Sequence, residues 1–536
     1  MAGIRSGPVI GDRVPARLPA GETAPEGLIE SFWASERALL DDDADELDRL
    51  IQQGEWTLRA DAAGVVTGSD RVHAFRTRRG SAPRRRIEVL HVRPVDDDAA
   101  LVLAVTRTPH GGRGVETQLW RRSGGAWAVA VAHIAPPPAA ADQAVWRLVG
   151  TPLVPATGAG PLHRATVAVK DLFEIEGERV GAGVREYLAE SPRAASTAPA
   201  VRALLDAGAS VLGIAQTDQF AYSITGANPQ YGIPPNPAVP GGLPGGSSSG
   251  PAAAVALGQA AIGLGTDTGG SLRVPASYQG LWGLRTTHGA VSREGLVPLA
   301  PRFDAVGWVT RDRATLDAAA RASLDPERQV PLARRFARAP ALDGLAEPTL
   351  RMMFRNAVAH LDAREVDLGP IDRLFELFRT VQAAEAWRSH GWWVRKHPGV
   401  LARDVAERFE WAATIDAEAE RDARDGLEAA ASDLRRRLAG RVLLLPSASS
   451  TAPQTTASRA EIERIRAATM RLACVAGIAG LPALSIPAFS VPLGGGVSAP
   501  AGLSLVGPRF TDLALLRIGA ALVDQLPRTE ADELTG

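Results

Sequence analysis

Apolar and polar positions alternate differently along successive stretches of this chain, and the changes of period mark its parts. A Pro/Gly/Arg-rich opening, residues 1–22, reads as a disordered tail. The stretch GLIESFWASERALLDDDADELDRLI (27–51) then sets Leu28, Phe32, Trp33, Leu39 and Leu40 at helical spacing above an acidic face. Four segments with strand-like alternation follow: RRRIEVLHVRPV (84–95), AALVLAVTRT (99–108), GVETQLWRR (114–122) and AWAVAVAHIA (126–135). The Asp- or Gly-rich turns DDDA, PHGGRG and SGG separate them. A helix followed by such a meander predicts a small α+β domain over residues 23–135, a curved sheet wrapping a helix, with a linker at 136–145.

From residue 146 the chain is rich in Gly, Ala, Pro and Ser, and short apolar strands alternate with helices. In APAVRALLDAGASVLGIAQ (198–216), a helix ending at Ala207–Gly208 feeds the apolar strand SVLGIA, the grammar of an α/β protein with a large mixed sheet. Residues 311–440 turn helical and charged, as in AERFEWAATIDAEAERDARDGLEAAASDLRRRL; RVLLLPS and PALSIPAF then return to strand. The helical stretch therefore reads as an insert in one large domain over 146–530.

Composition narrows the function classes. A net charge of −1 gives no electrostatic footprint for nucleic acid or an anionic membrane. No run of about 18 apolar residues predicts a membrane span, and the opening residues lack the apolar core of a secretion signal, so a cytoplasmic protein is expected. The single cysteine, Cys474, excludes an internal disulfide and reads as a small buried hydrophobe; no Cys/His spacing resembles a metal site.

Of 59 basic residues, two are lysines, Lys170 and Lys396. Arginine serves as well for a surface charge, but a guanidinium cannot be made neutral, whereas an amine can. Lys170 closes the apolar run ATVAV, and burial lowers a lysine pKa by ~3–5 units from about 10.4, enough for a neutral base near pH 7. The plainer alternative is a strand-end ion pair with Asp171 or Glu174.

Two further segments carry chemistry. PAVPGGLPGGSSSGPAAAVALG (237–258) places three serines at a helix N-terminus, and the apolar Ala252–Leu257 pins the loop to a core. Its letters match G-x-S-x-G at Ser248, but a proline-rich loop stands where that elbow needs a strand, so the elbow is rejected. In GLGTDTGGSLRVPAS (263–277) the glycines lack dinucleotide-loop spacing. Thr268, Gly269, Gly270 and Ser271 instead read as a tight turn whose amides converge beside a hydroxyl. Asp267 and Arg273 flank it as a bracing ion pair, with a catalytic carboxylate as the alternative role for Asp267.

These segments together resemble the signature region of the amidase signature family, with further similarity in LLDAGASVLGIAQTDQFAYSITGANPQYGIPPNP, AGLPALSIPAF and APAGLSLVGPRF, over roughly residues 146–530. The resemblance implies a large mixed sheet surrounded by helices, a Ser–cis-Ser–Lys triad, and no metal or cofactor. By position, Ser271 resembles the acyl-forming nucleophile, Ser247 the bridging serine with a cis peptide, and Lys170 the base. The amides of Thr268, Gly269, Gly270 and Ser271 would form the oxyanion hole. Gln219, Arg285-Thr286 and Trp308 depart from residues common in the family and bear on substrate shape rather than reaction class.

Residues 23–135 are similar to NTF2-like (SnoaL-type) domains and to the small companion proteins of ureide-degrading amidases. A binding or pairing module follows, with a homodimer expected and His133 or Trp127 as pocket-lining candidates. The resulting expectation is a serine amidohydrolase acting on a small carboxamide or ureide, with neither nucleic acid nor membrane as partner. An amidotransferase subunit needing partner chains, or a catalytically inactive amidase-fold binding protein, are the alternatives.

Overall fold

The computed structural model describes residues 14–41, 43–61, 64–78, 85–107, 113–135, 142–494 and 497–525. The chain divides into two compact units, Met1–Ala141 and Asp142–Gly536.

The first unit holds a seven-stranded sheet in the order Ala16–Arg17, Arg86–Asp96, Ala99–Arg107, Arg113–Ser123, Ala126–Ala135, Leu58–Asp61, Gly64–Thr67. Its antiparallel meander is made from the four segments whose alternation predicts strands. Leu90, Val92, Val102, Ala104 and Trp120 face one side, where the helix Leu28–Leu40 sets Leu28, Phe32 and Trp33 against them. Glu36, on the same helix, is also buried, and Arg85 bridges it to Glu116 at 2.8 and 2.7 Å. The tail expected over residues 1–22 is cut short. Residues 1–13 lie outside those described, but Ala16–Arg17 pair in parallel with Leu90 and His91 because Val14, Ala16 and Leu18 alternate onto the same apolar cluster. Trp127 is buried, its Nε1 donating to Glu26 O at 2.8 Å, and His133 is exposed on its strand; neither lines a cavity described in this unit. Residues 136–141 of the expected linker lie outside those described, and Val145 at its far end is fully buried in the second unit.

The second unit is a mixed eleven-stranded sheet covered by helices. From edge to edge it runs Arg364–Glu365, Phe336–Arg338, Val442–Pro446, Val497–Val506, Ala483–Gly494, Trp282–Arg285, Ala305–Thr310, Ile262–Asp267, Thr166–Lys170, Ser210–Ala215, Trp146–Val154. The stretch expected as a purely helical insert contributes the first two of these strands. The apolar pair Phe336-Ala337 is buried one strand in from the sheet edge, but its arginine-rich flanks hide it from a reading of periodicity. The helices Ile371–Lys396 and Ala417–Arg437 make up much of the rest. Among the described residues, no helix is long and apolar enough to cross a membrane.

The three strands that matter most are parallel neighbours toward one edge of the sheet: Thr166–Lys170 lies between Ser210–Ala215 and Ile262–Asp267. Covered on both faces, they are nearly continuous in apolar residues. Their shared direction brings Lys170 and Asp267 to one edge of the sheet, where ligand sites of such folds form. Close approach of the alanine-rich helix Ser249–Ala256 explains the glycines of IGLGTD. A Cβ at Gly263 would stand 2.7 Å from Pro251 O, and one at Gly265 2.5 Å from Ser248 Oγ. Gly263→Ala must therefore push helix from sheet, at a cost of about 1–3 kcal/mol. Urea unfolding of this variant should show a lowered midpoint with an unchanged slope; an unshifted midpoint would contradict the packing.

Candidate active site

Lys170 ends its strand fully buried, and its Nζ donates to Ser247 Oγ at 2.8 Å and Thr266 Oγ1 at 2.9 Å. Burial lowers its pKa to about 7, against the opposing pull of the Asp218, Asp304 and Asp267 carboxylates. The adjacent Asp171 is not its partner: that carboxylate is taken by Arg147 at 2.9 Å. Lys396, the other lysine, is exposed and pairs with Glu190 at 3.2 Å.

The serine run occupies the entry to the helix Ser249–Ala256, and the peptide Gly246–Ser247 is cis. Each of its hydroxyls has a different partner. Ser247 accepts from Lys170, Ser248 Oγ donates to Thr266 O at 3.2 Å, and Ser249 Oγ donates to Asp218 Oδ1 at 3.2 Å. The loop presses so closely on Asp218 that a Cβ at Gly246 would lie 2.5 Å from Asp218 Oδ2. Burial pushes the Asp218 carboxyl up to about 6, while the Gly226 amide and the Lys170 charge oppose that shift.

The turn after strand Ile262–Asp267 is organised by the Asp267 carboxylate. It accepts from Gly270 N at 2.9 Å, Leu272 N at 3.2 Å, Arg273 Nε and Nη2 at 3.0 and 2.8 Å, and Arg285 Nη1 at 3.2 Å. Burial favours its protonated form, but the Arg273 and Arg285 guanidiniums outweigh that and hold the carboxyl well below its usual range. The ion pair with Arg273 therefore braces the turn, and the wholly buried carboxylate faces cations rather than the cavity.

This arrangement corrects the four-amide oxyanion hole. The Gly270 amide turns inward to Asp267, because an ionised carboxylate buried without water needs every nearby donor. The amides of Thr268, Gly269 and Ser271 donate to no group among the described residues. Gly270 has φ 115°, a conformation that favours glycine and permits the reversal. Ser271 lines a narrow, partly open cavity together with Thr268, Gly269, Tyr222, Gln382 and Arg466. The two serines are tied through the backbone, Ser248 N donating to Ser271 O at 3.3 Å. Ser271 Oγ makes no hydrogen bond among the described residues, so the hydroxyl-to-hydroxyl link of the expected relay is not closed here.

Sequence reasoning missed Thr266, Asp218 and Asp304 and gave Arg285 a different role. Thr266, the second acceptor for Lys170, is with Asp267 one of two polar residues closing an apolar strand, which was a usable signal. Asp218 lies in the loop after Ser210–Ala215 and carried none. Asp304 accepts from Thr268 Oγ1 at 2.6 Å and from the Leu299 and Ala300 amides at 3.0 Å each, fixing the turn from its other side. Arg285, expected to bear on substrate shape, is fully buried and clamps Asp267 O and Phe303 O, so it braces the turn instead. Of the segment VQAAEAWRSHGWWVRKHPG (381–399), Gln382 lines the cavity, while Arg388 turns to Glu420 and Trp393 packs in the core. Cys474 is buried as expected, its thiol pushed up to about 12. Among the described residues, no cluster of His, Cys, Asp and Glu suits a metal ion.

The helix-covered mixed sheet, with the glycine- and serine-rich turns at the ends of these parallel strands, defines an amidase-type hydrolase. The family model described as Amidase matches residues 151–331, and a second, described as AtzH-like, matches residues 26–137. The chain is similar to Amidase 1 of Oryza sativa subsp. japonica, 33% identical over 421 residues that cover 70% of this chain and 92% of that protein. It therefore belongs to the amidase family, as an enzyme acting on C–N amide bonds, and carries an AtzH-like unit ahead of the amidase fold. It is also similar to the 1-carboxybiuret hydrolase subunit AtzE of Pseudomonas sp. (strain ADP), 45% identical over 147 residues, 27% of this chain and 32% of that one. A solved structure described as a vestigial protein complex revealing the origins of an s-triazine catabolic enzyme, inhibitor-bound, matches with a TM-score of 0.63. It is 28% identical and covers 68% of this chain and 85% of that one.

Replacing Asp267 by Asn leaves two buried guanidiniums facing a neutral group, a loss of about 3–5 kcal/mol. Chemical denaturation should show a drop of that size, and a variant as stable as the parent would show that Asp267 does not brace the turn.

Proposed function

We propose that this chain is a serine amidohydrolase that cleaves the C–N bond of a small carboxamide or ureide through an acyl-enzyme on Ser271. The observation that carries this reading is a fully buried amine, with a pKa lowered to about 7, bonded at 2.8 Å to the hydroxyl of Ser247. An amine in that state is a competent base at neutral pH. Neutral Lys170 draws the Ser247 proton as Ser247 takes that of Ser271, and Ser271 Oγ bonds to the substrate carbonyl carbon. This requires the Ser271 hydroxyl to turn to Ser247 when substrate is bound, as catalytic hydrogen bonds often tighten only in the complex.

The Thr268, Gly269 and Ser271 amides, which have no other acceptor among the described residues, are the donors available to the developing oxyanion. The proton held on Lys170 returns through Ser247 to the leaving nitrogen as the C–N bond breaks. Water then attacks the ester carbonyl, its proton passes back along the same route, and Ser271 is released with the free acid. The narrow cavity supports a small substrate. A ureide is supported by the similarity to a 1-carboxybiuret hydrolase subunit and by the AtzH-like match over residues 26–137. Residues 23–135 then serve as a binding or pairing module rather than a second catalytic centre, with a homodimer as the expected assembly.

Lys170→Met should retain the fold and lose about 10³-fold in turnover. It should also be more stable than the parent, most of all in acid. The unfolded lysine keeps its proton up to about pH 10.4, whereas the folded one sheds it above about 7, so the stability that burial withholds from the parent is regained only as pH climbs through that window. A lysine with a merely structural role would instead leave the variant less stable. In the parent, kcat/KM should rise about tenfold per pH unit below 7 and level off above it; a profile flat from pH 5 to 9 would rule out the amine as base. A fluorophosphonate should label the parent at Ser271 and leave Ser271→Ala unlabelled, as mapped by peptide mass spectrometry.

A further inference from the structure

The cavity that holds Ser271 is lined by one charged residue, Arg466, from the helix Arg459–Ala479, far from every motif that the sequence singled out. Its Nε–H is buried and has no partner, and its Nη1 reaches only Glu463, at 3.4 Å. Buried guanidinium donors are ordinarily satisfied, so an orphan at a cavity wall marks a place for an acceptor. Gln382 is 5% exposed, lines the same cavity, and its amide bonds no group among the described residues. Burial pushes the Tyr222 phenol up to about 12 against the opposing pull of the neighbouring guanidiniums, so it remains a donor at neutral pH. Three side-chain donors thus face a cavity in which no carboxylate is among the lining residues.

Charge balance points the same way. Arg379, Arg408 and Arg466 act together on Tyr222. Two carboxylates sit among them: Asp404 pairs with Arg408 at 2.9 Å, and Glu463 is shared between Arg408 and Arg466 at 3.4 Å each. Of these five groups only Arg466 lines the cavity, so the lining carries one positive charge and no carboxylate. Asp404 and Glu463 sit outside the cavity lining, so neither fills the place of the missing acceptor.

We infer that Arg466, with Gln382 beside it, binds a carboxylate carried on the substrate, so that the preferred substrates are small amides or ureides bearing an acid group. This rests on the amidohydrolase reading above and deepens it. The planar guanidinium offers its free Nε–H and an Nη–H to the two oxygens of a carboxylate, a geometry that an ammonium group cannot reproduce. In this cavity the acid group anchors one end of the molecule and the scissile carbonyl meets Ser271. Neutral amides bind less well because they offer no acceptor to the buried Nε–H.

The test uses the full chain and matched substrates: malonamate and succinamate against propionamide and butyramide, with ammonia release as readout. The parent should favour the acid amides, and Arg466→Met should lower their kcat/KM by about 10²-fold, chiefly through KM, while changing the neutral amides less than about threefold. An equal fall in both series, or a parent that does not discriminate, would overturn the assignment. Succinate protection of Ser271 against fluorophosphonate gives a second readout that needs no turnover. Succinate should slow labelling of the parent and not of Arg466→Met, with both showing the same thermal midpoint. Labelling that proceeds unslowed in the parent overturns the carboxylate site while leaving the amidohydrolase reading intact; no labelling of Ser271 at all removes that reading itself.

Discussion

A carboxylate with no access to water, that of Asp267, holds the centre of this molecule together. Its oxygens draw in two backbone amides and two guanidiniums. Those donors belong to separate elements: the turn 268–272, the helix Arg273–Gln279, and the strand Trp282–Arg285. Arg273 extends the tie to Ala473 O at 3.1 Å, in the helix Arg459–Ala479. Burying such a charge costs far more than any one contact returns, so the arrangement holds only because all its donors converge. The turn bearing Ser271 inherits that rigidity, and its Thr268, Gly269 and Ser271 amides are left without an acceptor among the described residues.

The same dry interior acts in opposite directions on groups a few ångströms apart. Asp267 is forced to keep its charge because cations surround it, while Lys170, whose bonded partners are two neutral hydroxyls, is pushed to give its charge up. Asp218, served by one backbone amide and a serine hydroxyl, is held near 6. Titratable groups driven apart by their surroundings, at the edge of a sheet and beside a cavity, are how one fold supplies both a base and fixed dipoles at neutral pH.

Much of this was legible in the chain itself. The scarcity of lysine singled out Lys170, the alternation of residues 84–135 gave the meander, and GLGTDTGGSLRVPAS gave both the turn and its ion pair. What escaped depends on side chains meeting across sequence distance. That the Gly270 amide serves Asp267 rather than a ligand is settled by how many donors a buried charge collects, which no spacing encodes. Arg285 looked like a departure from a family pattern because its partners, Asp267 O and Phe303 O, are brought to it only by strand pairing. Arg466 lies in RAEIERIRAATMRLACVAGIA, whose helical periodicity says which face is apolar but not that one arginine opens into a cavity. The strand Phe336–Arg338 was masked by charge because it lies one strand in from the sheet edge, with arginines flanking its short apolar pair.

The arginine-for-lysine habit of this chain has a practical corollary. With Lys170 sealed inside, Lys396 is the one side-chain amine that meets solvent, its side chain 61% exposed at the end of the helix Ile371–Lys396. Amine-directed reagents such as succinimidyl esters or aldehyde supports would therefore find one lysine side chain to couple through, with the α-amine as the other reactive amine, and so leave the catalytic centre unmodified.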